Sequence, residues 1–253
     1  MKTSWGGVAG WYDDVVNDDD SYQGKVILPN IIRIMRPEKG RVFLDLACGQ
    51  GIFARALAGK GARVIGVDIA PELIAIAKSH AGHNEEYHVS SADDLGLFGA
   101  GIFDDAMTVL AIQNIEHAGK AFKEVSRTLR PGGRFVIVLN HPAFRIPGKT
   151  AWGWDGATGT QYRRVDEYMS ESRKAIDMHP GTPQKDLTYS FHRPLQNYSK
   201  MLANAGFSIA RIEEWMSHKE SEKGPRKVAE DKARNEIPMF MCLECVKLDL
   251  RSS

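Results

Sequence analysis

The segment between residues 42 and 68 constrains the fold more than any other. Val42 to Leu46 is an apolar run bounded by Gly40 on one side and by Gly49 and Gly51 on the other, and Ile52 to Ala58 follows with helical spacing. A second apolar run, Arg63 to Val67, ends on Asp68. Two strands joined through one helix run parallel, and parallel strands are apolar on both faces because helices cover both. The alternation continues. Pro71 to Ser79 reads as a helix, with proline at its start and Glu72 in its first turn. A weak strand at Tyr87 to Val89, a stronger one at Ala106 to Leu110, a helix at Ala118 to Leu129 and a strand at Phe135 to Leu139 follow. The pattern predicts an α/β, doubly wound, Rossmann-like and mostly parallel sheet.

Beyond Asn140 the periodicity fails until about Ser190, where Gly, Pro, aromatic and charged residues mix. Such a stretch is expected to be a lid or acceptor-binding insertion. A helix from Leu195 to Ala205, a cap at Gly206 and a strand from Ser208 to Trp215 restore the pattern. Lys219 to Arg234 is expected to be a solvated helix or loop, and Met239 to Lys247 the last strand. Cys242 and Cys245 in that strand would point to opposite faces, which favours core packing over a metal or redox pair. The three cysteines give no disulfide framework, and no metal is called for. Lys plus Arg number 33 against 32 for Asp plus Glu, so no general attraction to nucleic acid or anionic membrane exists. No apolar run approaches the roughly 20 residues that span a bilayer; the expected place is the cytoplasm.

The turn itself reads Asp45-Leu46-Ala47-Cys48-Gly49-Gln50-Gly51, and Gly49 to Ala54 also fits GxGxxA, with Asp68 placed where a dinucleotide site binds ribose. Asp45 separates the two readings. A carboxylate at the strand end repels a pyrophosphate but favours the ammonium and sulfonium of S-adenosylmethionine. Glycines at 49 and 51 let backbone amides approach the ligand, and Asp68 can accept two hydrogen bonds from a ribose diol.

From Val42 to Leu139 the chain resembles the class I S-adenosylmethionine-dependent methyltransferases, in particular the small-molecule group called type 11. The resemblance rests on the DLACGQG turn, Val67-Asp68-Ile69, Ser91-Ala92-Asp93-Asp94-Leu95, Phe103-Asp104-Asp105-Ala106 and Leu129-Arg130-Pro131-Gly132-Gly133. It implies a seven-stranded sheet whose last strand is antiparallel. It also implies that Asp45, Gly49 and Gly51, with Ala47 in the turn, surround the methionine part, and that Asp68 takes the ribose. Ile69, Ala92 and Asp93 would line the adenine, and Leu110 and Ala111 would sit beside the sulfur. Ser91 stands where many members carry the Asp that bonds the adenine amino group, and Asp93 is the substitute. Trp5, Trp11, Tyr12 and Tyr22 resemble the family's mobile covering helix, with Tyr12 reaching the methionine end. The chain then divides into covering helices (1–36), cofactor-binding core (37–139), insertion (140–190) and a C-terminal helix with strands (191–253).

A sulfonium methyl is already electrophilic, so the protein must align an acceptor and exclude water; a base is needed only where the acceptor loses a proton. Sites on open parallel sheets lie beyond the C-terminal strand ends, which brings in Gln113, Asn114, His117, Asn140 and His141. The insertion adds Trp152, Trp154, Tyr162, Arg163, Asp166, His179, Tyr189, His192 and Arg193. The Trp152-Gly153-Trp154-Asp155 run is either a cluster that holds the lid or a wall for the acceptor. Ser190-Phe191-His192-Arg193-Pro194 resembles a family segment in which a histidine faces the acceptor, so the base candidates are His192 first, then His141 and His117. The expected partner is a small-molecule acceptor, with neither membrane nor nucleic acid. Ala111-Ile112-Gln113-Asn114 lacks the Asn/Asp-Pro-Pro-aromatic pattern of base methyltransferases, and Arg163 and Arg164 alone make no phosphate track. An RNA methyltransferase, a regulatory protein that binds the cofactor without turnover and a nicotinamide-dependent oxidoreductase stay open as alternatives.

Overall fold

The apolar alternation of the strands splits their side chains between two layers of core. In β5 (Leu129–Asn140), Phe135, Ile137 and Leu139 enter one layer while Val136 and Val138 enter the other. The computed structural model describes residues 20–177 and 187–249. Strands β1 (Val42–Leu46), β2 (Arg63–Asp68), β3 (Glu85–Val89), β4 (Phe103–Val109) and β5 run parallel, in the spatial order β3-β2-β1-β4-β5. Four strands of the insertion come next along the chain, and after them β10 (Phe207–Trp215) and β11 (Phe240–Lys247). β11 pairs antiparallel with both β5 and β10, closing a seven-stranded sheet.

One face of the sheet carries α1 (Leu28–Met35), α2 (Ile52–Ala58) and α3 (Pro71–Ser79). The other carries α4 (Ala118–Thr128) and α5 (Leu195–Asn204). The doubly wound reading is therefore correct. Cys242 lies in the first core and Cys245 in the second, as the strand spacing requires. Among the described residues no helix is long and apolar enough to cross a membrane. Ile27, Ile31, Ile34 and Met35 are buried under β1 and β5, so the described end of the N-terminal region is a structural layer of the sheet. Trp5, Trp11, Tyr12 and His179 lie outside the described residues.

The insertion differs from the irregular stretch expected. It holds two antiparallel hairpins, β6 (Thr150–Asp155) with β7 (Thr160–Val165) and β8 (Ser172–Asp177) with β9 (Leu187–His192). β7 and β8 are mostly exposed on both faces, and in β9 the buried face is carried by Thr188, Ser190 and His192 while Leu187 and Tyr189 are exposed, which removes the apolar alternation that marks a half-buried strand. Cross-strand stacking takes its place. Arg163 lies over its partner Trp152, with guanidinium carbon and ring centre 5.1 Å apart, and Arg173 lies over Tyr189 at 3.7 Å. The charged segment forms α6 (Lys227–Glu236), which packs on β7, and Arg226 just before it covers Trp154 at 4.6 Å. Both tryptophans of the Trp-Gly-Trp run thus face basic side chains.

Candidate cofactor and acceptor site

The chain lays down β1, β2 and β3 outward in one direction and then returns to place β4 on the other side of β1. The crevice between the ends of β1 and β4 is the switch point where open α/β sheets bind ligands. Two non-glycine residues there hold left-handed backbone: Ala47 (φ 57°) after β1 and Leu110 (φ 54°) after β4. Such conformations cost about 1–3 kcal/mol and concentrate at functional sites.

Asp45, at 1% exposure, projects from β1 beside the glycine turn. Its Oδ2 is buried without a hydrogen-bond partner, as are both side-chain polar atoms of Gln50. Burial, and then the charge of Asp68, pushes the Asp45 carboxyl up to about 7. These three buried polar atoms have no protein partner, which leaves hydrogen-bonding capacity for a polar ligand beside a carboxyl that burial has raised. The turn is shaped for close approach: Gly49 and Gly51 have φ of 56° and 82°. A Cβ on Gly51 would fall 2.4 Å from the Tyr87 hydroxyl, and one on Gly66 would fall 2.6 Å from the same ring. Tyr87 therefore supports the turn from β3, a role that sequence reasoning missed.

Asp68 ends β2 and is also raised by burial. Its Oδ2 accepts the Gly49 amide at 2.9 Å and its Oδ1 the Ala70 amide at 2.9 Å. These bonds fix the carboxylate, and each oxygen keeps a lone pair for an outside donor. Ile69, beside it, is 52% exposed, an apolar face left open next to the Asp68 carboxylate. Ser91 donates to the Asp93 carboxylate, so the serine orients Asp93 across the half-buried loop that holds Ala92. That loop is fastened from α4: Glu124 accepts the Leu95 amide at 2.9 Å, and Arg127 donates to the Leu95 and Phe98 carbonyls. Ala111 follows Leu110 and starts the short turn Ile112–Asn114.

Gln113, Asn140, Ser190, His192 and Arg193 come together around one narrow cleft with Arg145, Pro142 and Tyr198, because β9 packs against the Ile112–Asn114 turn. His192 donates from Nε2 to the Tyr168 carbonyl at 2.8 Å, which makes Nδ1 the unprotonated nitrogen. His141 is engaged at both nitrogens. Its Nδ1 accepts the Ala143 and Phe144 amides, and Nε2 meets Glu214 Oε1 at 2.7 Å. Burial lowers its pKa against the pull of Glu214, so it is a neutral corner-post between β5 and β10. His117 is exposed at the start of α4, on a groove with Met201 and Asn204 of α5. The Phe103-Asp104-Asp105-Ala106 motif sits at the opposite end of the sheet and serves the scaffold, where Asp105 binds Arg41 and Arg134 at 2.7 Å each.

Residues 44–137, the segment carrying the glycine turn, Asp68 and the β4 end, match the family model described as a methyltransferase domain. The fold agrees with that class. A solved S-adenosylmethionine-dependent methyltransferase from Mesorhizobium loti is 25% identical, has a TM-score of 0.70, and covers 87% of this chain and 96% of its own. Among curated proteins, a ubiquinone biosynthesis O-methyltransferase from Xanthomonas axonopodis pv. citri is 33% identical over 110 residues, 42% of this chain and 46% of that protein. A ubiquinone/menaquinone biosynthesis C-methyltransferase from Rubrivivax gelatinosus is 32% identical over 108 residues, 42% of each. The chain thus spans about half the length of the curated relatives it matches. The family match ends before the two hairpins.

Proposed function

We propose that the chain is an S-adenosylmethionine-dependent methyltransferase acting on a small-molecule acceptor. The observation that carries this reading is the buried, unpartnered Asp45 Oδ2 beside Gln50 and the left-handed glycine turn, inside the segment that matches the methyltransferase-domain model. When bound, the cofactor supplies a methyl group on a cationic sulfur. Asp45 would face its ammonium, Asp68 would hold the ribose diol, and Ile69, Ala92 and Asp93 would flank the base. Leu110 and Ala111 close the crevice at the β4 end. The cleft bounded by Gln113, Asn140 and His192 orients the acceptor and excludes water. Where the acceptor is a hydroxyl or thiol, His192 Nδ1 takes its proton.

Calorimetry with S-adenosylhomocysteine tests the cofactor placement. Wild type is expected to bind at micromolar level, and Asp68→Ala to bind about tenfold or more weakly, since a hydrogen bond to a charged group contributes roughly 1.5–3 kcal/mol. No binding by wild type, or undiminished binding by Asp68→Ala and Asp45→Asn alike, overturns it.

A further inference from the structure

Three features of the cleft concern what fills it beyond the cofactor. Arg193 is 7% exposed. Its Nη2 donates to the Ile115 carbonyl at 3.0 Å and the Glu116 carbonyl at 2.7 Å, but Nη1 is buried with no hydrogen-bond partner, although the Tyr198 phenol stands near it. No carboxylate pairs with this guanidinium among the described residues; Glu171, which lies by the adjoining Tyr198, is bonded to Asn197. Burying a cation without a counter-charge is costly.

Arg145 borders the same cleft and forms no side-chain hydrogen bond or ion pair with the described residues. It is exposed to solvent, and partial desolvation by the surrounding protein lowers its pKa. Its neighbour Arg163, lowered by burial and then by the charge of Arg145, brings no neutralisation. Arg163 is itself spent on the Phe144 carbonyl and the Thr150 hydroxyl. Gln113 supplies the third feature. Its Nε2 donates to the Leu110 carbonyl at 2.6 Å, which fixes the amide orientation, and leaves Oε1 buried without a donor.

We propose that this cleft binds a carboxylate of the acceptor between Arg145 and Arg193, while an O–H or N–H of the same molecule donates to Gln113 Oε1. The substrate class is a small hydroxy- or amino-carboxylic acid. The inference deepens the methyltransferase reading and rests on it for the word acceptor. A carboxylate suits the donors better than a phosphate. One open Nη1 on Arg193 and the fork of Arg145 match two oxygens, in a slot narrowed by Pro142, Pro147 and Phe191.

The test is a titration of the full chain with salicylate, 4-hydroxybenzoate, phenol and inorganic phosphate, each with and without saturating S-adenosylhomocysteine. At least one of the two carboxylates is expected to bind, with phenol at least tenfold weaker. Arg145→Gln, which breaks no bond within the fold, should weaken that carboxylate about tenfold while leaving S-adenosylhomocysteine affinity unchanged; Arg193→Lys should do likewise. Failure of both carboxylates to bind wild type overturns the proposal. So does equal binding by wild type and both variants, or tighter binding of phosphate than of either carboxylate. Failure of S-adenosylhomocysteine to bind wild type overturns the methyltransferase reading instead, and the titrations without it still read the subsite.

Discussion

At Asp45 the ligand-free protein holds a carboxyl that titrates at about 7, while a cationic ligand requires it ionised. Affinity for S-adenosylhomocysteine should therefore rise with pH through about 7 and then level, and binding at pH 6.5 should release a proton. Calorimetry in two buffers of different ionisation enthalpy measures that release, which Asp45→Asn should abolish; equal affinity at pH 6 and 8 would refute the linkage. The stability sign is opposite. A carboxyl raised from 3.8 contributes stability that is full below about 4 and lost as pH rises through about 7. His192 yields a second expectation. With a hydroxyl or thiol acceptor, His192→Ala should lower turnover by roughly 10²–10⁴-fold and spare cofactor affinity, whereas an unchanged rate and pH profile would exclude it as base. Asp45, the glycines and Asp68 were legible in sequence because strand, turn and helix fix their spacing. Gln113 was legible by its place at a strand end, but Gln50 and Tyr87 were not, since their importance lies in an unmet hydrogen bond or in a ring pressed against a glycine, neither of which leaves a periodic trace.

Among the elements, β1, β2, α2 and α3 begin and end where the sequence places them, give or take one residue, because proline, glycine and buried apolar runs bound them sharply. β4 starts three residues before the expected Ala106, since the carboxylates of Asp104 and Asp105 mask a strand that is paired from Phe103 onward. That pair of acids shows how an element is pinned. Asp104 accepts the Val42 amide at 2.7 Å, and Asp105 accepts the Arg134 amide and both arginines, while Arg134 reaches the Ile34 and Met35 carbonyls and Glu244. α1, β1, β4, β5 and β11 meet there. Removing one partner of a buried ion pair costs about 3–5 kcal/mol, so Asp105→Ala should lose that much in urea denaturation. A loss under about 1 kcal/mol, the scale of an exposed pair, would show that the cluster is dispensable. The hairpins were illegible for the opposite reason: arginine stacks on aromatic rings across strands, and the buried face of β9 is carried by the polar Thr188, Ser190 and His192, so neither alternates apolar with polar.

For the molecule as a whole, the parallel strands put the proposed cofactor and acceptor groups at their C-terminal ends and the ionic cluster at the other end of the sheet. β9 packs against the turn that follows β4, which couples the hairpins to the cofactor crevice. Hydrogen exchange at residues 187–192 should slow when S-adenosylhomocysteine binds, and equal exchange with and without it would argue against a covering role. The placement of the thiols has a further consequence. Cys48 lies under the glycine turn, Cys242 and Cys245 lie on opposite sides of the sheet, and all three are buried, the latter two pushed up to about 12. An alkylating reagent therefore meets no reactive sulfur on the native surface. Each cysteine becomes a clock for a different event: Cys48 keeps time for breathing of the ligand loop, and the other two for rupture of the central sheet.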